Sequence, residues 1–247
     1  MRYFTQAAAV ISCAVCLTAL SAPAQADIVI SGTRIVYKES QKSVNVRLEN
    51  RGENPLLVQN WLDTGNDNVD PSQISVPFNS TPPVSRIDSK RGQTVKVMYT
   101  AASALPKDRE SVFWFNVLEV PPKPADGETA GKNMLQLAFR TRIKLFYRPE
   151  GLNGIPSEAP KALVWSTGVE KGVAVVIAKN PTPYHVSFSS LNLNAGGRKY
   201  EIESQMVVPF GETRYPVKGI KSIPRQAKIS FSAINDFGGA VEGSAGL

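Results

Sequence analysis

Short apolar runs, broken at close intervals by turn residues, constrain this 247-residue chain more than any other feature. Ile35-Val36-Tyr37, Ser43-Val44-Asn45-Val46-Arg47-Leu48 and Thr94-Val95-Lys96-Val97-Met98-Tyr99 are rich in β-branched residues and partly alternate apolar with polar. That is the pattern of strands with one buried face. Asn50-Arg51-Gly52-Glu53-Asn54-Pro55, Thr81-Pro82-Pro83 and Lys90-Arg91-Gly92 lie between them and carry turn chemistry. No segment sustains a long 3.6-residue period with caps. Many short strands without alternating helices predict an all-β sandwich or barrel.

The pattern breaks at Arg148-Pro149-Glu150-Gly151-Leu152 and then restarts at 163–165, 172–178, 186–188 and 228–234. Asn194-Ala195-Gly196-Gly197-Arg198 reads as a hairpin turn. The chain is long for one β-sandwich of ~100 residues and long enough for two. The break predicts sandwiches over 27–148 and 149–247. With 42% apolar and 20% charged residues the chain is globular rather than disordered. A proline- and glycine-rich loop, 121–131, separates two strongly apolar strands.

Residues 1–26 read as a signal peptide. Arg2 supplies the positive start, 7–20 are apolar, and Ala24-Gln25-Ala26 is a small-x-small cleavage site. Cleavage after Ala26 would make Asp27 the first residue of an exported, periplasmic protein. A lipoprotein reading through Cys13 fits less well than the Ala-x-Ala site. The apolar run falls short of the ~20 residues of a membrane span, and no later stretch is long enough, so membrane insertion is not expected. Cys13 and Cys16 both leave with the leader, and the mature chain is expected to hold no thiol. Removal of Arg2 lowers the formal net charge of +7 by one. In an exported protein the remaining surplus suits an acidic protein surface, a carboxylate or an anionic membrane better than nucleic acid.

Catalytic signatures are missing. His185 is the single histidine, and in Pro181-Thr182-Pro183-Tyr184-His185 it reads as a surface or turn residue. A nucleophilic triad or a zinc site would have to be built on it without a thiolate. Between Gly127 and Gly131-Lys132 there are three residues where a phosphate loop needs four, and Asn133 stands where the motif needs Ser or Thr. The expectation is a non-enzymatic protein with no cofactor and no metal.

The most informative stretch is 134–147, read as one strand. Leu135, Leu137 and Phe139 alternate with Gln136, Ala138 and Arg140, which puts the first three on one face. Periodicity leaves two readings open. The row lines the chain's own core, or it is offered to a partner whose sheet lacks a strand. Lys144 falls on the opposite face, with Ala138 and Arg140.

Longer motifs carry a resemblance. Leu105-Pro106-Lys107-Asp108-Arg109-Glu110-Ser111-Val112-Phe113-Trp114-Phe115-Asn116-Val117 precedes Pro121-Pro122, and Ile143-Lys144-Leu145-Phe146-Tyr147-Arg148-Pro149 follows. Asn180-Pro181-Thr182-Pro183-Tyr184, Val208-Pro209-Phe210-Gly211 and Ile234-Asn235-Asp236-Phe237-Gly238-Gly239 complete the series. Together they resemble the signature of periplasmic pilus chaperones of the chaperone–usher pathway, in family order across nearly the whole mature chain. Ser85 and Val207-Val208-Pro209 depart from the family pattern.

The resemblance implies two immunoglobulin-like β-sandwiches set at an angle, with a cleft between them. It implies that Arg34 and Lys144 hold the C-terminal carboxylate of a pilus or fimbrial subunit. Leu135, Leu137 and Phe139 would be lent to that subunit as a donor strand. Glu110, Arg148 and Asp236 would form an interdomain charge network, and Pro55 would face an outer-membrane usher. The loop before the donor strand resembles the short-loop type. An uncapped donor strand could also pair with its counterpart in a self-capping dimer, and the sequence leaves the oligomeric state open. The rival readings are an immunoglobulin-like adhesin or structural subunit of the fibre, and an exported hydrolase on a sandwich scaffold, which the single histidine disfavours.

Overall fold

The computed structural model describes residues 27–122 and 136–247. The first half forms β1 (Ile28–Ile30), β2 (Arg34–Lys38), β3 (Val44–Asn50), β4 (Leu56–Asp63), β5 (Phe78–Thr81), β6 (Val84–Ile87), β7 (Gly92–Tyr99), β8 (Ser111–Val120) and β9 (Phe139–Arg148). The second half forms β10 (Val164–Glu170), β11 (Val173–Lys179), β12 (Phe188–Ala195), β13 (Arg198–Glu201), β14 (Glu212–Pro216), β15 (Lys228–Ile234) and β16 (Ala240–Gly246). Two single 3-10 turns, at Pro71–Gln73 and Pro156–Glu158, are the helical elements among the described residues.

Each half is a sandwich of two sheets. In the first, β1-β3-β7-β5 faces β2-β9-β8-β4-β6; in the second, β10-β11-β14 faces β13-β12-β15-β16. Period-two alternation decides what lies between the sheets. Ile35 and Tyr37 of β2, Val95 and Val97 of β7, and Leu145 and Tyr147 of β9 point inward and are buried. The second sandwich encloses its own apolar cluster, with Val176, Leu191, Leu193, Tyr215 and Ile229 at its centre. Burial of each such side chain is worth roughly 1.5–3 kcal/mol. Among the described residues no helix is long and apolar enough to cross a membrane.

One pairing shapes the rest of the molecule. β8 runs antiparallel along one edge of β9 from Phe139 to Tyr147. β2 runs parallel along the other edge, but only from Lys144 to Arg148. Residues 139–143 of β9 therefore have a strand neighbour on one side only among the described residues.

The strand expected over 134–147 begins at Phe139. Residues 136–138 have no regular structure, and Leu135 lies outside the described residues. The ladder stops for a physical reason. β8 ends at Val120, Glu119 is its last residue paired with β9, and Pro121 and Pro122 have no N–H to extend it. The strand expected at 186–188 is likewise shorter. Val186 makes an isolated bridge to Val207, and β12 starts at Phe188.

Candidate functional site

Parallel pairing of β2 with β9 sets Arg34 directly opposite Lys144. Alternation turns both away from the core that Ile35 and Leu145 enter, toward the second sandwich. The Arg34 guanidinium donates through Nη1 to the carbonyl of Ile234 at 2.9 Å. Lys144 Nζ donates to Ser187 Oγ at 3.2 Å and lies 5.4 Å from the centre of the Trp114 ring. Burial pushes the Lys144 pKa down, and the neighbouring Arg34 charge adds to that shift. Burial also lowers the Arg34 pKa, against the opposing charges of Asp236 and Glu110. Arg34 Nε is buried without a hydrogen-bond partner among the described residues. Two adjacent, partly desolvated cations stand here with a donor to spare, and such a pair has the chemistry to donate charge-assisted hydrogen bonds to one carboxylate.

Leu137 and Phe139 are 56% and 51% exposed, although the odd-numbered residues that follow, Ile143, Leu145 and Tyr147, are buried in the first core. The row thus runs off the end of its own sandwich. Arg140 does more than meet water. Its Nε donates to Asn116 Oδ1 at 2.9 Å, and its guanidinium lies 5.0 Å from the Trp61 ring centre. Arg142, on the same face, bonds to both oxygens of buried Asp63, at 2.9 and 3.0 Å. Sequence reasoning missed Arg142 and Asp63. The one available signal was the spacing Arg140-x-Arg142-x-Lys144, which places three cations on one face.

Four ionisable side chains meet where the sandwiches join. Arg148 Nε donates to Glu110 Oε1 at 2.7 Å, while Nη1 and Nη2 bond to the two oxygens of Asp236 at 2.7 and 2.9 Å. Burial works against the Arg148 charge. Hydrogen bonds to Asp236, with the charge and hydrogen bond of Glu110, outweigh it and raise the pKa. The fourth member corrects the expectation of a surface histidine. The His185 side chain is 4% exposed, its Nδ1 lies 3.2 Å from Glu110 Oε2, and its backbone N–H donates to the same oxygen at 2.8 Å. The turn exists, but the interdomain packing that covers it is invisible to local sequence. Phe146 flanks the ring at 5.4 Å between centroids.

Pro55 lies elsewhere, beside exposed Leu57 and Val120, in a shallow groove also lined by Arg86, Pro121 and Pro122. Among the described residues no group of three or more His, Cys, Asp or Glu side chains is placed to hold a metal ion.

Two sandwiches thus meet at a charge network, and two cations stand at the end of a strand edge that has no neighbour among the described residues. The chain belongs to the PapD family of pili assembly chaperones: residues 27–153 match the pili and flagellar-assembly chaperone PapD N-terminal domain, and residues 158–245 match the PapD C-terminal domain. It is 62% identical over 235 residues to the probable fimbrial chaperone YadV of Escherichia coli K12, covering 95% of this chain and 96% of the relative. The crystal structure of YadV aligns with a TM-score of 0.78 at 60% identity, over 90% of this chain and all of that one, 100%. The SafB chaperone of Salmonella enterica, solved in complex with SafA pilin, aligns with a TM-score of 0.73 at 25% identity, over 92% and 99% of the two chains. The protein is thus a periplasmic pilus or fimbrial assembly chaperone with no enzymatic activity, and the fibre-subunit and hydrolase readings fall away.

Proposed function

We propose that this chaperone captures an unfinished pilus or fimbrial subunit by donor-strand complementation and passes it to an outer-membrane usher. The observation that carries this reading is the half-covered β9. Among the described residues, 139–143 lack a neighbour on the edge that β2 would occupy, and that gap ends at Lys144 and Arg34. A subunit strand laid in the gap extends the sheet, while its C-terminal carboxylate sits on the two cations. Its direction follows from the geometry. A strand that ends at Lys144 and lies beside 139–143 must run parallel to β9.

Leu137 and Phe139, with Leu135 before them, fill the groove of a subunit that lacks its last strand. The carboxylate anchor fixes register, because a one-residue slip would turn the apolar row away. Glu110, Arg148, Asp236 and His185 hold the two sandwiches in one relative position, with the boundary between Arg148 and Pro149. The groove beside Pro55 is the usher-facing surface, and its exposed Leu57 and Val120 support an apolar docking patch. The loop belongs to the short type, export ends with cleavage after Ala26, and the free protein pairs its donor edges in a dimer.

The test is co-expression with the subunit encoded nearby, comparing Arg34→Ala and Lys144→Ala with the unsubstituted chain. Each variant stays folded by circular dichroism and loses the soluble subunit complex. Undiminished complex in both variants overturns the anchor.

A further inference from the structure

One buried carboxylate has no role in the site just described. Glu119 lies on β8, on the inward face with Phe115 and Val117, and is 3% exposed. Its Oε2 accepts a hydrogen bond from the Ile28 N–H at 3.3 Å, one residue from Asp27. Oε1 is buried with no partner among the described residues. Burial raises the Glu119 pKa, and the Asp27 side-chain charge adds to the rise. A buried carboxylate left without a cation is costly, and one neutral N–H donor offsets only part of that cost.

Asp27 is held firmly at that position. Its carbonyl accepts from the Arg51 N–H at 2.7 Å, and its side chain lies so close over Gly52 that a Cβ there would collide with it. β1 begins one residue later and pairs Ile28 with Asn50 of β3. The backbone at residue 27 is therefore fixed one residue from the N–H that meets Glu119. The nearby cations are engaged elsewhere: Arg51 with Glu49, and Lys90 with Glu53, at the surface.

We propose that signal-peptide cleavage completes the fold of the first sandwich, the new α-ammonium of Asp27, an exposed residue just ahead of β1, forming an ion pair with buried Glu119. Water adds across the Ala26–Asp27 peptide bond, the carboxylate departs on the leader, and the freed amine takes up a proton. A neutral amide with one donor becomes a cation with three. Glu119 is also the cross-strand partner of Phe139. The ion pair thus stabilises the sheet where the donor strand starts, and it does so only in the exported, processed chain. The inference rests on cleavage after Ala26 and is independent of what the chaperone binds.

The test uses the mature protein purified after export, its first residue established by intact mass, beside a form that retains Ala26 ahead of Asp27. Each is made with and without Glu119→Gln. In the mature chain E119Q lowers the unfolding midpoint by roughly 2–4 °C, the scale of losing one partly exposed ion pair in a chain of this size. In the extended chain the same substitution leaves the midpoint unchanged or raises it, because the acid there has no cation to lose. At neutral pH the mature α-amine, facing Glu119 and its own side-chain carboxylate, is acylated about tenfold more slowly than in E119Q, the effect of one pKa unit. Equal effects of E119Q in both forms, equal acylation rates, or a first residue other than Asp27 would each overturn the ion pair. Subunit capture is assayed alongside. Capture without the coupling removes this inference and spares the proposed function, whereas coupling without capture does the reverse.

Discussion

Arg34 and Lys144 stand side by side as cross-strand partners in the parallel pairing of β2 with β9. Their mutual repulsion is part of what lowers the Lys144 pKa, after the larger effect of burial. Folding alone leaves the pair frustrated. In the proposed complex a subunit carboxylate would relieve it, so that a chain terminus, rather than any apolar feature, would report that the partner strand is in register.

The lowered Lys144 pKa predicts a pH dependence with a definite sign. The folded protein loses this proton more readily than the unfolded chain. Between the two pKa values the unfolded state binds more protons, so this group makes stability rise with pH there. With Lys144 holding the carboxylate as proposed, subunit binding should behave in the opposite way, since it would need the charged ammonium. Affinity for a C-terminal subunit peptide should fall as pH climbs through the lowered Lys144 pKa, before an ordinary lysine would titrate. Lys144→Arg should move that fall to higher pH in a binding titration. An identical profile for both proteins would show that Lys144 does not hold the carboxylate.

The exposed row should matter for binding and not for folding. Leu137→Asp and Phe139→Asp each remove a side chain whose burial in a partner is worth roughly 1.5–3 kcal/mol. Subunit capture should drop about tenfold or more for each, with an unfolding midpoint within a degree or two of the parent. A fall in midpoint without loss of capture would return these residues to the chain's own core.

The interdomain network separates two kinds of acid. Glu110 is fully enclosed, with a side chain 2% exposed, whereas that of Asp236 is 32% exposed. Glu110→Ala leaves Arg148 with one carboxylate and His185 with none, and should destabilise by roughly 3–5 kcal/mol in chemical unfolding. Asp236→Ala should cost nearer ~1 kcal/mol, because water screens the bond it removes. Small-angle scattering should show a broader spread of domain orientations in both.

Leu145 is fully buried at the centre of β9, one residue beyond Lys144. Leu145→Ala should cost about 2–5 kcal/mol from lost contacts and the cavity left behind. Capture measured well below the unfolding midpoint should survive, because the neighbouring Lys144 faces the other way.

The strand pattern carried the fold class, because alternation is a property of adjacent residues and each strand writes its own. Val95 and Val97 between Thr94, Lys96 and Met98 announce which face turns inward wherever the strand is placed. The family motifs extended this reading to Arg34, Lys144 and the Glu110–Arg148–Asp236 set. His185 shows the limit of local reading. Pro181-Thr182-Pro183 makes a turn, and turns lie at the surface of an isolated domain, yet this one is covered by Glu110 and Phe146 of the other sandwich. Asp63 was equally invisible, since the arginines that surround it lie on β9.

By itself, then, the sequence determined an exported chain of two sandwiches, the inward face of most strands and an apolar row of unassigned purpose. Tertiary structure alone decided that β2 stops short, leaving 139–143 with an open edge among the described residues, and that Arg34 meets Lys144 at the end of that gap. It also decided that Glu119 lies against the N–H of Ile28, one residue from Asp27. Side-chain alternation is fixed over two residues and can be read locally. Which edges meet, and where a strand runs out of partner, is settled by the packing of the whole domain.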